Sequence, residues 1–174
     1  MRSPFGFIVE PVGGKIYDNK SESGLVTSSS IENHKVTNRQ AVVIAVPSLY
    51  EGPVMDSAIV VVHHNTFRKW NEWGGKERHS TNFFKDGQYV VGHDHMFMYK
   101  NDWADDWETL RDVIFVEPGE DEQYGKIKYS NEILRRDGIV EGLEIGFTPD
   151  SEYEFEIDGE TLYKMHTRDI CLTK

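Results

Sequence analysis

Histidine is the residue type in this chain whose spacing first invites a chemical reading. His63 and His64 close an apolar run, and His93-Asp94-His95 is a His-x-His triplet. On a strand, residues 93 and 95 point to one face. Two histidines and a carboxylate on neighbouring strands are a known way for a small β-barrel to hold iron or manganese. His63, His93 and His95 are thus candidate ligands of a metal-dependent β-barrel enzyme. That pattern wants a glutamate a few residues after His-x-His and a later histidine flanked by glycines. "HDHMFMYKND" has no such glutamate, and Asp94 falls on the opposite face. The spacing therefore predicts satisfied or solvated histidines. Cys171 has only His166 near it in sequence and sits beside a closing strand, which predicts a small buried hydrophobe. There is no Gly-x-Gly-x-x-Gly, no P-loop and no Gly-x-Ser-x-Gly. The chemistry-bearing residues argue against an enzyme, and no metal or cofactor is expected.

A binding segment is the stronger signal. "DNKSESGLVTSSSIEN" (18–33) is polar on both sides of a two-residue apolar plug, Leu25-Val26. Composition of this kind predicts a disordered loop. Within it nothing local can bury the plug. Either the loop folds back on its own domain, or Leu25 and Val26 dock on a partner.

The elements around these residues are short strands. "FGFIVEP" (5–11) and "QAVVIAVP" (40–47) each end at a proline, and "SAIVVVHH" (57–64) is apolar throughout, as in a strand buried on both faces. "NFFKDGQYVV" (82–91) places Asp86-Gly87 between apolar runs, a hairpin signal, and "HMFMYK" (95–100) closes the set. The best helix candidate is "DDWETLRD" (105–112). The order then repeats. "RDVIFVEP" (111–118) ends in Val-Glu-Pro as "FGFIVEP" does. "GKIKYSN" (125–131), "RRDGIVEGLEIGF" (135–147), a hairpin around Asp158-Gly159 (153–165) and "RDICLT" (168–173) follow. This gives a unit over 1–100, a linker over 101–110 and a second unit over 111–174. In the second, the long segment is replaced by an acidic turn, "PGEDEQ" (118–123), read as a solvated turn that blunts a sheet edge. A connection longer than about 15 residues in a small β unit is usually functional or disordered. Trp70, Trp73, Trp103 and Trp107 all lie near predicted loops, where they pack between the units or form an interface with a neighbouring subunit.

Bulk properties narrow the partners. The 174 residues suffice for one ordinary domain or two small ones, and 38% hydrophobic with 12% aromatic residues supports a packed core. A net charge of -11 argues against nucleic acid and against anionic membrane surfaces. One cysteine suits a reducing cytoplasm. "MRSPFGFIVEP" has no apolar run of signal-peptide length, and no segment approaches a membrane span. The expected compartment is the cytoplasm.

Strand, long Gly/Ser segment with an apolar plug, strand, short turn, strand, Asp-Gly hairpin and closing strand: this order resembles the GroES-type co-chaperonins. "FIVEP", "SESGLVTSSS", "QAVVIAVP", "VMDSAIVVV" and "KDGQYVVGHDHMFM" carry the resemblance. "SLYEGP" stands where many members have a longer roof hairpin, which looks most like the co-chaperonins of tailed bacteriophages. "VEGLEIGFTPDSEYEFEIDGETLYKMHTRDICL" is similar to the family's C-terminal half. The resemblance implies an all-β fold of two tandem GroES-like, partly open β-barrels, the second lacking the mobile loop (about 18–37). It implies a ring, with seven subunits expected, that caps a GroEL-type chaperonin in the (host) cytoplasm while a substrate such as a viral capsid protein folds. Gly24 would give the turn, Leu25, Val26 and Thr27 the contact, and Ile31 a second anchor. Thr27 and Ser28 depart from the family's third aliphatic residue and its following glycine. The alternative from another class is a phage head or neck component built on the same barrel, with the loop as an ordered arm.

Overall fold

Runs of β-branched and aromatic residues, broken by Gly, Pro and Asp-Gly, set the architecture. The computed structural model describes residues 2–14 and 38–174. The chain is mostly β and divides into two compact units, Met1–Asp105 and Asp106–Lys174. The division falls inside the segment 101–110.

The first unit contains β1 (Phe7–Pro11), β2 (Gln40–Ala45), β3 (Ile59–Val62), β4 (Lys69–Asn71), β5 (Glu77–His79), β6 (Phe83–Lys85), β7 (Gln88–Val91) and β8 (Met96–Lys100). Its main sheet runs β6-β7-β1-β2-β3-β8, with β4–β5 a separate hairpin. The second unit contains β9 (Glu108–Thr109), β10 (Val113–Pro118), β11 (Tyr124–Tyr129), a helix α1 (Glu132–Arg136), β12 (Glu144–Phe147), β13 (Tyr153–Ile157), β14 (Glu160–His166) and β15 (Ile170–Thr173). Its sheet runs β13-β14-β10-β11-β12-β15. Position by position, the two orders are the same.

The equivalence extends to register. β1 meets β2 through Ile8↔Ala45, Val9↔Val43, Glu10↔Val42 and Pro11↔Ala41, with a bulge between Ile8 and Val9. β10 meets β11 through Phe115↔Tyr129, Val116↔Ile127, Glu117↔Lys126 and Pro118↔Gly125, with a bulge between Phe115 and Val116. A second bulge falls between Val61 and Val62 in the β3–β8 pair, and again between Gly146 and Phe147 in the β12–β15 pair. Turns match as well. Asp86-Gly87 and Asp158-Gly159 have positive φ at both residues (48°, 80° and 51°, 85°), the backbone of a two-residue hairpin turn that follows strand twist. Ser57 N donates to Val43 O, and Gly142 N to Ile127 O, each at 2.8 Å. A bulge inserts one residue at one place in a ladder. Two shared bulges and shared turn bonds therefore identify two copies of one six-stranded open sheet.

Each copy has its own core. In the first, Ile59, Val60, Val61 and Val62 are all buried, as the unbroken apolar run requires, and Phe67 meets Tyr89 edge to face at 4.8 Å. In the second, Ile114, Val116, Ile127, Leu134, Ile145, Phe147 and Met165 form one cluster.

Two expectations are corrected. Residues 105–112 are not a helix. Trp107 is buried with its indole donating to Asp158 Oδ2 at 2.8 Å, Thr109 N donates to Ser130 O at 3.0 Å, and Arg111 sits at φ 57°. Bonds to other segments outcompete two turns of local helix. The helix among the described residues is α1. Asn131 caps it by accepting from Leu134 N at 3.1 Å. Gly138 (φ 90°) ends it, with Gly138 N donating to Arg135 O and Ile139 N to Leu134 O at 2.9 Å, so that Ile139 packs with Leu134. Finally, Cys171 is exposed on β15, not buried. No helix among the described residues is long and apolar enough to cross a membrane.

Candidate functional site

The two copies differ most where β1 passes to β2. In the second copy, residues 119–123 close the pair tightly: Gly119 N donates to Tyr124 O at 2.8 Å and Tyr124 N to Asp121 O at 3.1 Å. In the first, residues 12–39 stand in that place. Their feet are fixed to one another. Val12–Gly14 forms a single 3-10 turn with Gly13 and Gly14 at φ 71° and 67°, which favours glycine. The Asn38 amide donates to Val12 O at 3.0 Å, and its oxygen accepts from Gln40 N at 2.9 Å. The rear foot also serves the sheet, because Arg39 O accepts from Val62 N at 2.8 Å, as Gln123 O accepts from Phe147 N at 3.0 Å in the other copy. The same strand pairing is thus closed by residues 119–123 in one copy and by residues 12–39 in the other. Gly24, Leu25, Val26, Thr27 and Ile31 belong to this connection and lie outside the described residues.

The three candidate metal ligands are not brought together. His93–His95 is a 3-10 turn and not a strand, so residues 93 and 95 do not share a face. His93 lies beside Phe7 and Tyr50, at ring separations of 6.2 and 5.5 Å. His95 turns instead to His63, at 5.6 Å, and His64 lies 4.1 Å from His63. Among the described residues no group of three His, Cys, Asp or Glu side chains is placed to hold a metal ion. The four tryptophans separate by environment: Trp73 and Trp103 are exposed, Trp70 is partly so, and Trp107 is buried. The acidic turn after Pro118 is solvent-exposed from Gly119 to Gln123.

Two polar clusters escaped sequence reading because their members are far apart in the chain. At one end of the β10–β14 pair, His166 Nδ1 lies 3.0 Å from Asp112 Oδ2 and its Nε2 lies 3.3 Å from Lys164 Nζ. Burial lowers the Lys164 pKa, with the Arg111 charge adding to it. Burial pushes Asp112 up, but the His166 charge and hydrogen bond bring it below the ordinary value. Beside α1, Arg135 bridges Glu108 and Glu141 at 2.8 and 2.7 Å. The Arg135 bond holds Glu141 below the ordinary carboxylate range. Both clusters tie segments of the second unit together, and their members pair with one another.

Comparison with protein-family models and with curated proteins gives no match.

Proposed function

We propose that this chain is a co-chaperonin of the GroES type that caps a GroEL-type chaperonin through the β1–β2 connection of its first unit. The two units would be tandem GroES-like barrels. Leu25 and Val26, flanked by Gly24 and Thr27 and followed by Ile31, dock in an apolar groove of the chaperonin. The protein hydrolyses no ATP; the chaperonin does. The enclosed substrate is a folding polypeptide such as a viral capsid protein, and the setting is the cytoplasm.

One observation supports this reading above the others. Two copies of the same open sheet differ most in the β1–β2 connection, and less in the β4–β5 excursion that residues 148–152 replace. A long segment kept in one copy and absent from the other is better explained by a partner than by folding. Its apolar plug has a suitable size. Burying Leu25 and Val26 returns roughly 1.5–3 kcal/mol each at most. That is weak singly and strong when a ring, seven-fold in this proposal, presents several plugs at high effective concentration. Contacts of this strength release readily during a nucleotide cycle.

The test is co-sedimentation of the full chain with a GroEL-type chaperonin, with and without ATP. Nucleotide-dependent association is expected. Val26→Asp should abolish it while the melting temperature stays unchanged. Association that survives Val26→Asp, or none at all from a folded wild-type chain, overturns the proposal. In the second case, recovery of the chain from purified virions would favour a head or neck component.

A further inference from the structure

The first unit contains a cleft of about 420 Å³ formed between the end of β3, the start of β4, residues 80–82 and the turn before β8. We propose that it binds a nucleoside phosphate, with Arg68 and the imidazoles of His63 and His95 on the phosphate and Trp70 on the base. The proposal does not depend on the reading of the β1–β2 connection.

The composition of the lining is the first argument. In a chain of net charge -11, no residue lining this cleft is a carboxylate. The lining carries the Arg68 guanidinium and the imidazoles of His63 and His95; Ser80 Oγ already donates to Thr66 O, the Asn82 amide to Val90 O, and His63 Nδ1 accepts from Asn65 N. Asp94 approaches only the rim, with Oδ2 at 3.7 Å from His95 Nε2, and is itself well exposed. A cleft with a guanidinium and no carboxylate in an acidic protein selects an anion.

Arg68 is the second. Arg2, Arg78, Arg135 and Arg136 each pair with a carboxylate. Arg68 makes no ion pair among the described residues. Its guanidinium lies over the Trp70 ring, 5.7 Å from the centroid. A guanidinium stacked on an aromatic ring keeps its in-plane N–H groups for an oxyanion, and its fork matches phosphate. Trp70 is 42% exposed, and with Arg68 over one face of the indole a base would stack on the other. The arrangement places a planar-ring site beside an oxyanion site.

The third is Thr66, which lines the same cleft. It is buried, and its hydroxyl has no hydrogen-bond partner among the described residues. Its backbone is committed, since Thr66 O accepts from Ser80 Oγ and Thr66 N donates to His63 O at 2.9 Å. A buried hydroxyl without a partner is costly, and a ligand oxygen or an ordered water reached from the cleft would satisfy it. The second unit has no such cleft because residues 148–152 replace the whole β4–β5 excursion.

The experiment is titration of the full chain with AMP, adenosine and inorganic phosphate, followed by the His ring resonances in NMR and by calorimetry. Saturable AMP binding that shifts the His63 and His95 resonances is expected, with adenosine and phosphate each at least about tenfold weaker. Arg68→Ala should weaken AMP about tenfold or more, and Trp70→Ala should remove the preference for AMP over phosphate. Both side chains are exposed enough that the unfolding midpoint should stay constant. Absence of saturable shifts at millimolar AMP overturns the proposal, as does an Arg68→Ala variant that binds AMP like the wild type. Phosphate binding as tightly as AMP would overturn the nucleotide class and leave a simple oxyanion site.

Discussion

Replacing residues 12–39 by the Gly-Glu-Asp-Glu-Gln of residues 119–123 should leave the first unit folded. The register of β1–β2 matches that of β10–β11 at every paired position, bulge included, so the short turn meets the same strand ends. Three contributions can be counted, beside the buried Arg39 side chain, which the replacement also removes. Shortening the connection from roughly 28 residues to about 5 reduces closure entropy by about 1.5 kcal/mol, from (3/2)RT ln of the length ratio. Against this, the Asn38 bonds to Val12 O and from Gln40 N are lost, about 1 kcal/mol each. The bond from Val62 N to Arg39 O is replaced, since the residue equivalent to Gln123 supplies the same carbonyl. The sum is a change within about 1.5 kcal/mol of zero, read as the midpoint of urea unfolding followed by near-ultraviolet circular dichroism. Under the proposed function, the same variant should not associate with a GroEL-type chaperonin. A loss of more than about 3 kcal/mol, or a first unit that no longer folds, would refute the argument. The connection would then be part of the fold, and the equivalence of the two copies would be one of backbone trace only.

Other expectations follow from the second unit. Asn131→Ala removes a helix cap and two donations, a buried one to Thr109 Oγ1 at 3.1 Å and a part-buried one to Arg111 O at 2.9 Å, and should cost about 2–3 kcal/mol in chemical unfolding. Glu141→Gln should cost about 1 kcal/mol at pH 7, because the pair with Arg135 is partly solvated. Its pH dependence has a definite sign. Glu141 is lowered from its ordinary value of 4.5 by Arg135, so its contribution is complete above that value and is lost as pH falls through the lower folded value. The gap between wild type and variant should therefore close in acid, in melting curves from pH 7 downward. A gap that widens in acid would exclude the Arg135 pair as its cause.

What could be read from the sequence was whatever left a local periodic or turn signature. The apolar run at 59–62 and the two Asp-Gly pairs state a buried strand and two hairpins outright, and the Val-Glu-Pro endings at Pro11 and Pro118 betray the repeat. The β4–β5 hairpin is hidden because Lys69–Asn71 and Glu77–His79 carry no apolar alternation; only Gly74-Gly75, with φ 111° and 80°, marks its turn. Helix α1 buries only Leu134, so its signal lay in the Asn131 cap and Gly138, not in periodicity. The histidine triplet is expected on a strand, where residues 93 and 95 would share a face; it forms a 3-10 turn, where they do not. Apart from its composition, the β1–β2 segment is legible as a candidate site only because its counterpart is short. The nucleotide cleft draws on residues 63–70, 80–82 and 95, which no linear spacing joins.

The asymmetry between the copies also fixes a stoichiometry. One chain contributes two copies of the main sheet but a single long β1–β2 connection, so any assembly of such chains holds an even number of these copies and half as many such connections. A closed ring of seven chains would offer fourteen such copies with seven points of attachment. Valency toward a partner would be counted in chains, not in sheets. A second copy without the segment thus adds folded mass to each chain without adding a second long β1–β2 connection.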